Sequence, residues 1–188
     1  MSNGKTVVFI DGQSLFSTAK SLGFNIDFKK LLDELKTFGD LIRTKYYTLA
    51  DEEDDDSPII PLTDWLSYNG YSVVTKFVRS YVDPEGRKRV RGKIDVELSV
   101  DMMEIAPHVD HVVLISGDGD FAYLLSALQR QGKKCTVISS VQSNQHICAD
   151  SLRRTADEFI DLAQLKSKIG RENNNSAERI PFVARSPR

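Results

Sequence analysis

Short apolar runs alternate along the chain with longer segments whose apolar residues recur at helical spacing. Residues 6–10, 41–49, 71–82, 112–115, 135–139 and 158–162 read as strands. Val112-Val113-Leu114-Ile115 is apolar at every position, the pattern of a strand buried on both faces. Between these runs, residues 14–22 read as a helix stopped by Gly23. Asp27 stands as the N-cap of a helix with Leu31, Leu32 and Leu35 on its buried stripe, ended by Gly39. Pro58 suits the first turn of a helix through Trp65 to Tyr68, closed by Asn69-Gly70. Ile94, Leu98 and Met102, beside Val100 and Met103, make residues 93–103 an amphipathic helix ended by Pro107 and His108. Residues 121–131 form another helix, capped by Gly132, and residues 143–154 hold one or two short ones. A buried strand that passes through a tight turn into a helix is half of a βαβ unit. The pattern therefore predicts an α/β fold.

Two of these strands end in acids and glycines. Val112-Val113-Leu114-Ile115 runs into Ser116-Gly117-Asp118-Gly119-Asp120, and Val7-Val8-Phe9-Ile10 runs into Asp11-Gly12. Ligands of open α/β sheets bind at the carboxyl ends of strands. If the two strands are parallel neighbours, Asp11, Asp118 and Asp120 meet at one rim, where unpaired carboxylates repel and call for a cation. Asp95 joins them as a candidate, at the amino-terminal end of the helix over 93–103. Mg²⁺ and Mn²⁺ favour such carboxylate oxygens. A bound divalent ion lowers the pKa of water and clamps a phosphoryl oxygen, the chemistry of phosphodiester hydrolysis. Singly, each Asp could be a helix cap, a turn residue or a surface charge. Caps alone do not require several acids at one sheet edge. Glu97 and Asp101 are weaker candidates, and Asp101 is placed outside the direct ligands by helical spacing.

Length and composition narrow the rest. The 188 residues suit one compact domain over residues 1–165, followed by a basic mobile tail over 166–188 with six bases against two acids. A net charge of −2 gives no global attraction to nucleic acid or membrane, so any such attraction is local. The local candidate is a basic arm with seven bases between Lys76 and Lys93, interleaved with Phe77 and Tyr81. An ordinary charged hairpin is the plainer reading of the same residues. The six acids 51–56 read as a solvated loop. Two cysteines without a disulfide or zinc spacing, and no apolar stretch near the roughly 18 residues of a membrane span, lead to a cytoplasmic expectation. Gly117-x-Gly119-x-x-Ala122 matches a dinucleotide fingerprint in form only, because Asp118 and Asp120 would face a pyrophosphate. A nicotinamide enzyme and a P-loop NTPase are both set aside.

Three segments taken together, residues 9–16 (FIDGQSLF), 92–102 (GKIDVELSVDM) and 116–121 (SGDGDF), resemble the three motifs of the NYN domain, closest to its LabA-like bacterial branch. The resemblance covers residues 5 to about 162. It implies a PIN-like three-layer α/β/α sandwich on a mostly parallel sheet of five or six strands. It implies a Mg²⁺- or Mn²⁺-dependent ribonuclease in which Asp11, Asp95, Asp118 and Asp120 bind metal and carry catalysis. Substrate binding is expected of Ser14, Ser116, Arg89, Arg91 and Lys93. Ser14 departs from the family's usual Asn and has a shorter reach. The expected partners are single-stranded RNA and, in a homodimer, a second copy of the chain; no membrane is expected. The alternatives are an RNA- or protein-binding regulator with a vestigial site and, more remotely, a small-molecule phosphohydrolase. The latter class usually places D-x-D after its first strand, where this chain has Asp11-Gly12-Gln13.

Overall fold

The computed structural model describes residues 4–52, 57–86, 88–90, 92–142 and 148–172. Its centre is a six-stranded, wholly parallel sheet built from β1 (Lys5–Asp11), β2 (Asp40–Asp51), β3 (Tyr71–Val78), β6 (His111–Ile115), β7 (Lys134–Ser139) and β8 (Glu158–Asp161). The strand order is β3-β2-β1-β6-β7-β8. From β1 the chain moves outward to β2 and β3, then crosses back to β6 and continues the other way. The reversal falls between β1 and β6, and such a switch point opens a crevice at the strands' carboxyl ends.

Helices α1 (Gly12–Ser21), α2 (Phe28–Leu35), α3 (Ile59–Tyr68) and α7 (Leu162–Ile169) cover one face of the sheet; α4 (Asp95–Ile105), α5 (Ala122–Arg130) and α6 (Asp150–Thr155) cover the other. The two-residue period of a strand divides β1 between them. Val7 and Phe9 pack with Leu98, Met102, Leu125 and Leu128, whereas Val8 and Ile10 pack with Leu15, Leu31, Leu35 and Ile169. The three-layer α/β sandwich expected from the sequence is the observed fold.

The capping signals act as read. Asp27 accepts hydrogen bonds from the Lys29 and Lys30 amides at 3.0 and 3.1 Å, and Gly23 takes the left-handed conformation at φ +71° that ends α1. Elsewhere the boundaries shift. Residues 71–82 divide at Arg79, because pairing with β2 ends at Asp51 opposite Val78. The chain then turns away as β4 (Ser80–Val82), which pairs antiparallel with β5 (Lys88–Val90). Asp51, read as loop, is the buried last residue of β2; residues 53–56 lie outside the described residues. Leu162, read as the end of a strand, opens α7, whose N-cap Asp161 accepts from the Ala163 amide at 2.9 Å. The helix reaches Ile169, because Leu162, Leu165 and Ile169 form a buried stripe at helical spacing. Lys166 and Lys168, grouped with the tail by composition, therefore lie on a packed helix. Within residues 143–154, only α6 falls among the described residues, and residues 173–188 fall outside them. Among the described residues no helix is long and apolar enough to cross a membrane.

Candidate metal centre

The parallel pairing of β1 with β6 sets Ile10 beside Ile115, so Asp11, the last residue of β1, and Ser116, just past β6, lie side by side. A chain of hydrogen bonds links the two turns. Asp11 caps α1 by accepting from the Ser14 amide at 3.1 Å through Oδ1. Its Oδ2 accepts from the Ser116 hydroxyl at 3.0 Å. Ser116 Oγ in turn accepts from the Asp118 amide at 3.2 Å. Asp118 Oδ1 accepts from the Asp120 amide at 3.0 Å, closing the turn before α5. From the other side, the Gly117 amide donates to Ser14 Oγ at 2.9 Å.

This network aims Asp118 and Asp120 into the crevice, and α4 brings Asp95 to meet them from its first position. One carboxylate oxygen from each of Asp95, Asp118 and Asp120 lies within 4.8 Å of the others. Asp95 and Asp118 are half-buried and Asp120 is exposed. The Lys93 ammonium lies among them, 3.2 Å from Asp120, 3.3 Å from Asp95 and 3.7 Å from Asp118. Hydrogen bonds to Asp120 and Asp95, with the neighbouring negative charge, raise the Lys93 pKa.

Asp11 stands beside this group rather than in it. Burial raises its pKa, the bonds from Ser14 and Ser116 lower it, and the charges of Asp95 and Asp118 raise it again. The net shift is upward, as for a buried carboxylate near two others. Its two oxygens are engaged by Ser14 and Ser116, so Asp11 holds the turns together as observed. Ser116 is 1% exposed, which makes it a link between Asp11 and Asp118 rather than a surface for substrate. Ser14 is half-exposed, and its hydroxyl proton remains to be donated.

The basic arm is only partly a free cationic surface. Lys76 pairs with Glu97 at 2.7 Å and donates to the Lys93 carbonyl at 2.9 Å, steadying the segment that carries Lys93. Arg79 meets Glu52 at 3.5 Å. Arg89 lies in β5 opposite Tyr81, and Arg91 lies outside the described residues.

Sequence reasoning missed the anchor of α4. Tyr47 donates to Asp101 at 2.7 Å and Lys45 pairs with the same carboxylate, tying α4 to β2 and so orienting its first residue, Asp95. Alternation along β2 places Lys45 and Tyr47 on one face, but no signal in the chain names Asp101 as their partner. Gly12 is required by the packing of β1 against β2. A Cβ there would lie 2.6 Å from the Tyr46 hydroxyl and 2.8 Å from the Tyr47 carbonyl, so it admits the neighbouring strand rather than a ligand.

Three carboxylates form a hard oxygen donor set suited to Mg²⁺ or Mn²⁺, and the Lys93 ammonium among them shows that a cation fits between. The NYN domain family model matches residues 5–163. The chain belongs to the NYN domain family. Its LabA-like affiliation also holds. The chain is 30% identical over 185 residues to the low amplitude and bright protein LabA of Synechococcus elongatus, covering 96% of this chain and 93% of that protein. It is 25% identical to an uncharacterised protein of Methanocaldococcus jannaschii, covering 87% of this chain and 61% of that one. Among solved structures, a Vibrio parahaemolyticus protein of unknown function superposes with a TM-score of 0.69 at 26% identity. That match covers 85% of this chain and 93% of the other. The NYN family is a PIN-like nuclease family, and the six-stranded sandwich agrees with that fold.

Proposed function

We propose that this NYN domain is a Mg²⁺- or Mn²⁺-dependent ribonuclease that hydrolyses phosphodiester bonds in single-stranded RNA. The observation that carries the reading is the convergence of Asp95, Asp118 and Asp120 within 4.8 Å at the sheet's switch point. These three carboxylates would hold the ion, with Asp11 maintaining their geometry through Ser116. The ion when bound supplies an activated water and offsets charge on the phosphate. With an ion between the carboxylates, the Lys93 ammonium would be free of them and would hold the substrate's phosphate oxygens. Ser14 offers a hydroxyl proton at the start of α1, where it orients water or substrate. Hydrolysis consumes one water and leaves a 5′-phosphate and a 3′-hydroxyl. Cys135 and Cys148 are buried free thiols, which suits the reducing cytoplasm. A homodimer remains part of the proposal and is read directly by light scattering.

The decisive experiment follows a labelled mixed-sequence RNA with Mn²⁺, comparing wild type with Asp95→Asn and Asp118→Asn. Cleavage that disappears in both variants and in EDTA supports the proposal. Equal residual cleavage in all three proteins would trace the activity to something else. A second reading, a regulator without catalysis, draws on Ser14 in place of the family's Asn. RNA binding with no cleavage by wild type would favour it.

A further inference from the structure

One groove of the molecule has no part in the site described so far. A cavity of about 540 Å³ opens beside Gly12 and Gln13, over the carboxyl end of β2. It shares a wall of Gly12, Phe16, Tyr46 and Leu62 with a second cavity of about 350 Å³ that runs down α1. Lys20 and Arg171 line that second cavity and also a third, of about 440 Å³, which adds Lys166 and has no acid in its lining. The three form a continuous path along α1, starting next to Asp11 and ending in three cations.

Two features of the path are unusual for a helix surface that merely faces water. Phe16 is 66% exposed at the junction of the first two cavities, although its neighbours Leu15 and Ala19 are buried. Lys20 and Arg171 have no ion-pair partner among the described residues, whereas Lys30 and Lys168 nearby are paired with Glu172 and Glu34. From Gly12 to Lys20 the helix rises about 12 Å. An open aromatic face followed by free cations is how proteins hold single-stranded nucleic acid, with bases stacked and phosphates neutralised.

We infer that the α1 groove holds the single strand as it leaves the metal centre, with a base stacked on Phe16 and backbone phosphates held by Lys20 and Arg171. The inference rests on the ribonuclease reading and extends it to how the substrate is held. A peptide would meet the same apolar wall, but the three cations of the third cavity outnumber the acids beside the path, Asp51 at its start and Glu172, already paired with Lys30, at its end, which favours a polyanion.

The test is fluorescence anisotropy of a labelled 12-nucleotide single-stranded RNA with the full chain in EDTA, where binding is read apart from hydrolysis. Phe16→Ala is expected to weaken binding about 5- to 140-fold, the loss of one stacked base. Lys20→Ala with Arg171→Ala is expected to reduce the slope of log affinity against log salt by about 1.4, the share of two single-strand phosphates. Lys29→Ala, on the exposed side of α2, serves as a control and should bind as wild type. All four residues are exposed, so unchanged melting temperatures separate lost binding from lost folding. Wild-type binding left intact by both groove changes would overturn the inference while the ribonuclease reading stands. Tighter binding by Phe16→Ala would mean that another occupant fills the groove, and would overturn it too. A wild type that neither binds RNA here nor cleaves it with Mn²⁺ would remove both.

Discussion

Replacing Ser116 by Ala should loosen the metal centre without touching a carboxylate. Ser116 is 1% exposed, and its hydroxyl donates to Asp11 at 3.0 Å and accepts from the Asp118 amide at 3.2 Å. Its removal deletes a hydrogen bond to a charged group, worth about 1.5–3 kcal/mol, and leaves the half-exposed Asp118 amide short of a partner. The combined cost is about 2–4 kcal/mol, which for a chain of this size is a fall of about 4–16 °C in melting temperature. The bond from Ser116 favours ionised Asp11, so the cost applies while Asp11 is charged and shrinks as acid protonates it. Wild type should also gain about 5–11 °C from Mn²⁺ at 100 times its Kd. Ser116→Ala should gain less at the same concentration, because Asp118 has lost its anchor. Calorimetric melts at neutral and acid pH, with EDTA and with Mn²⁺, read all three effects. A variant melting within about 2 °C of wild type at neutral pH, or a deficit equal at both pH values, would refute the reasoning.

Four further outcomes follow from the same structure. Gly12→Ala would place a Cβ 2.6 Å from the Tyr46 hydroxyl and 2.8 Å from the Tyr47 carbonyl; it should cost about 1–3 kcal/mol in chemical denaturation and weaken Mn²⁺ binding. For Asp101, burial pushes the pKa up, but the bonds from Lys45 and Tyr47 outweigh it and leave it below 3.8. Its stabilisation is therefore present above 3.8 and lost as pH falls through the lower folded value, so Asp101→Asn should be less stable than wild type at neutral pH and converge with it in strong acid. His111 is buried between Thr6 and Thr136, and burial, with the Lys134 charge, lowers its pKa from 6.5. Stability should decline as pH falls from 6.5 through the folded value, a slope that His111→Gln should flatten in acid titrations followed by circular dichroism. Lys93→Met should bind Mn²⁺ more tightly in a calorimetric titration while cleaving RNA more slowly, since it removes both a competing cation and a phosphate contact.

Much of the fold could be read from local chemistry. A strand buried on both faces must be apolar throughout, and β6 is; helix caps depend on nearby side chains, and Asp27 and Gly23 cap as expected. Boundaries were harder where a partner decides them. β3 ends because β2 ends, which no property of residues 71–82 reveals. α7 hid behind its lysines, because a basic surface stripe and a basic tail have the same composition. Within the site, the acids announced themselves as a group, but their division of labour did not. Asp11 and Asp118 both follow buried strands, yet Asp11 has its oxygens engaged by Ser14 and Ser116 while Asp118 faces Lys93.

The sequence by itself determined the α/β class, the two acidic strand ends and the family, because each depends on periodicity or on residues close together in the chain. Only the tertiary structure decided that Asp95, 23 positions before Asp118, shares a cation position with it and Asp120. It also decided that Lys93 fills that position, and that Tyr47 and Lys45 hold Asp101. These contacts join elements that are distant in sequence, and their geometry depends on how α4 packs across β1 and β2. Charge and spacing along one strand of chain carry no record of that packing.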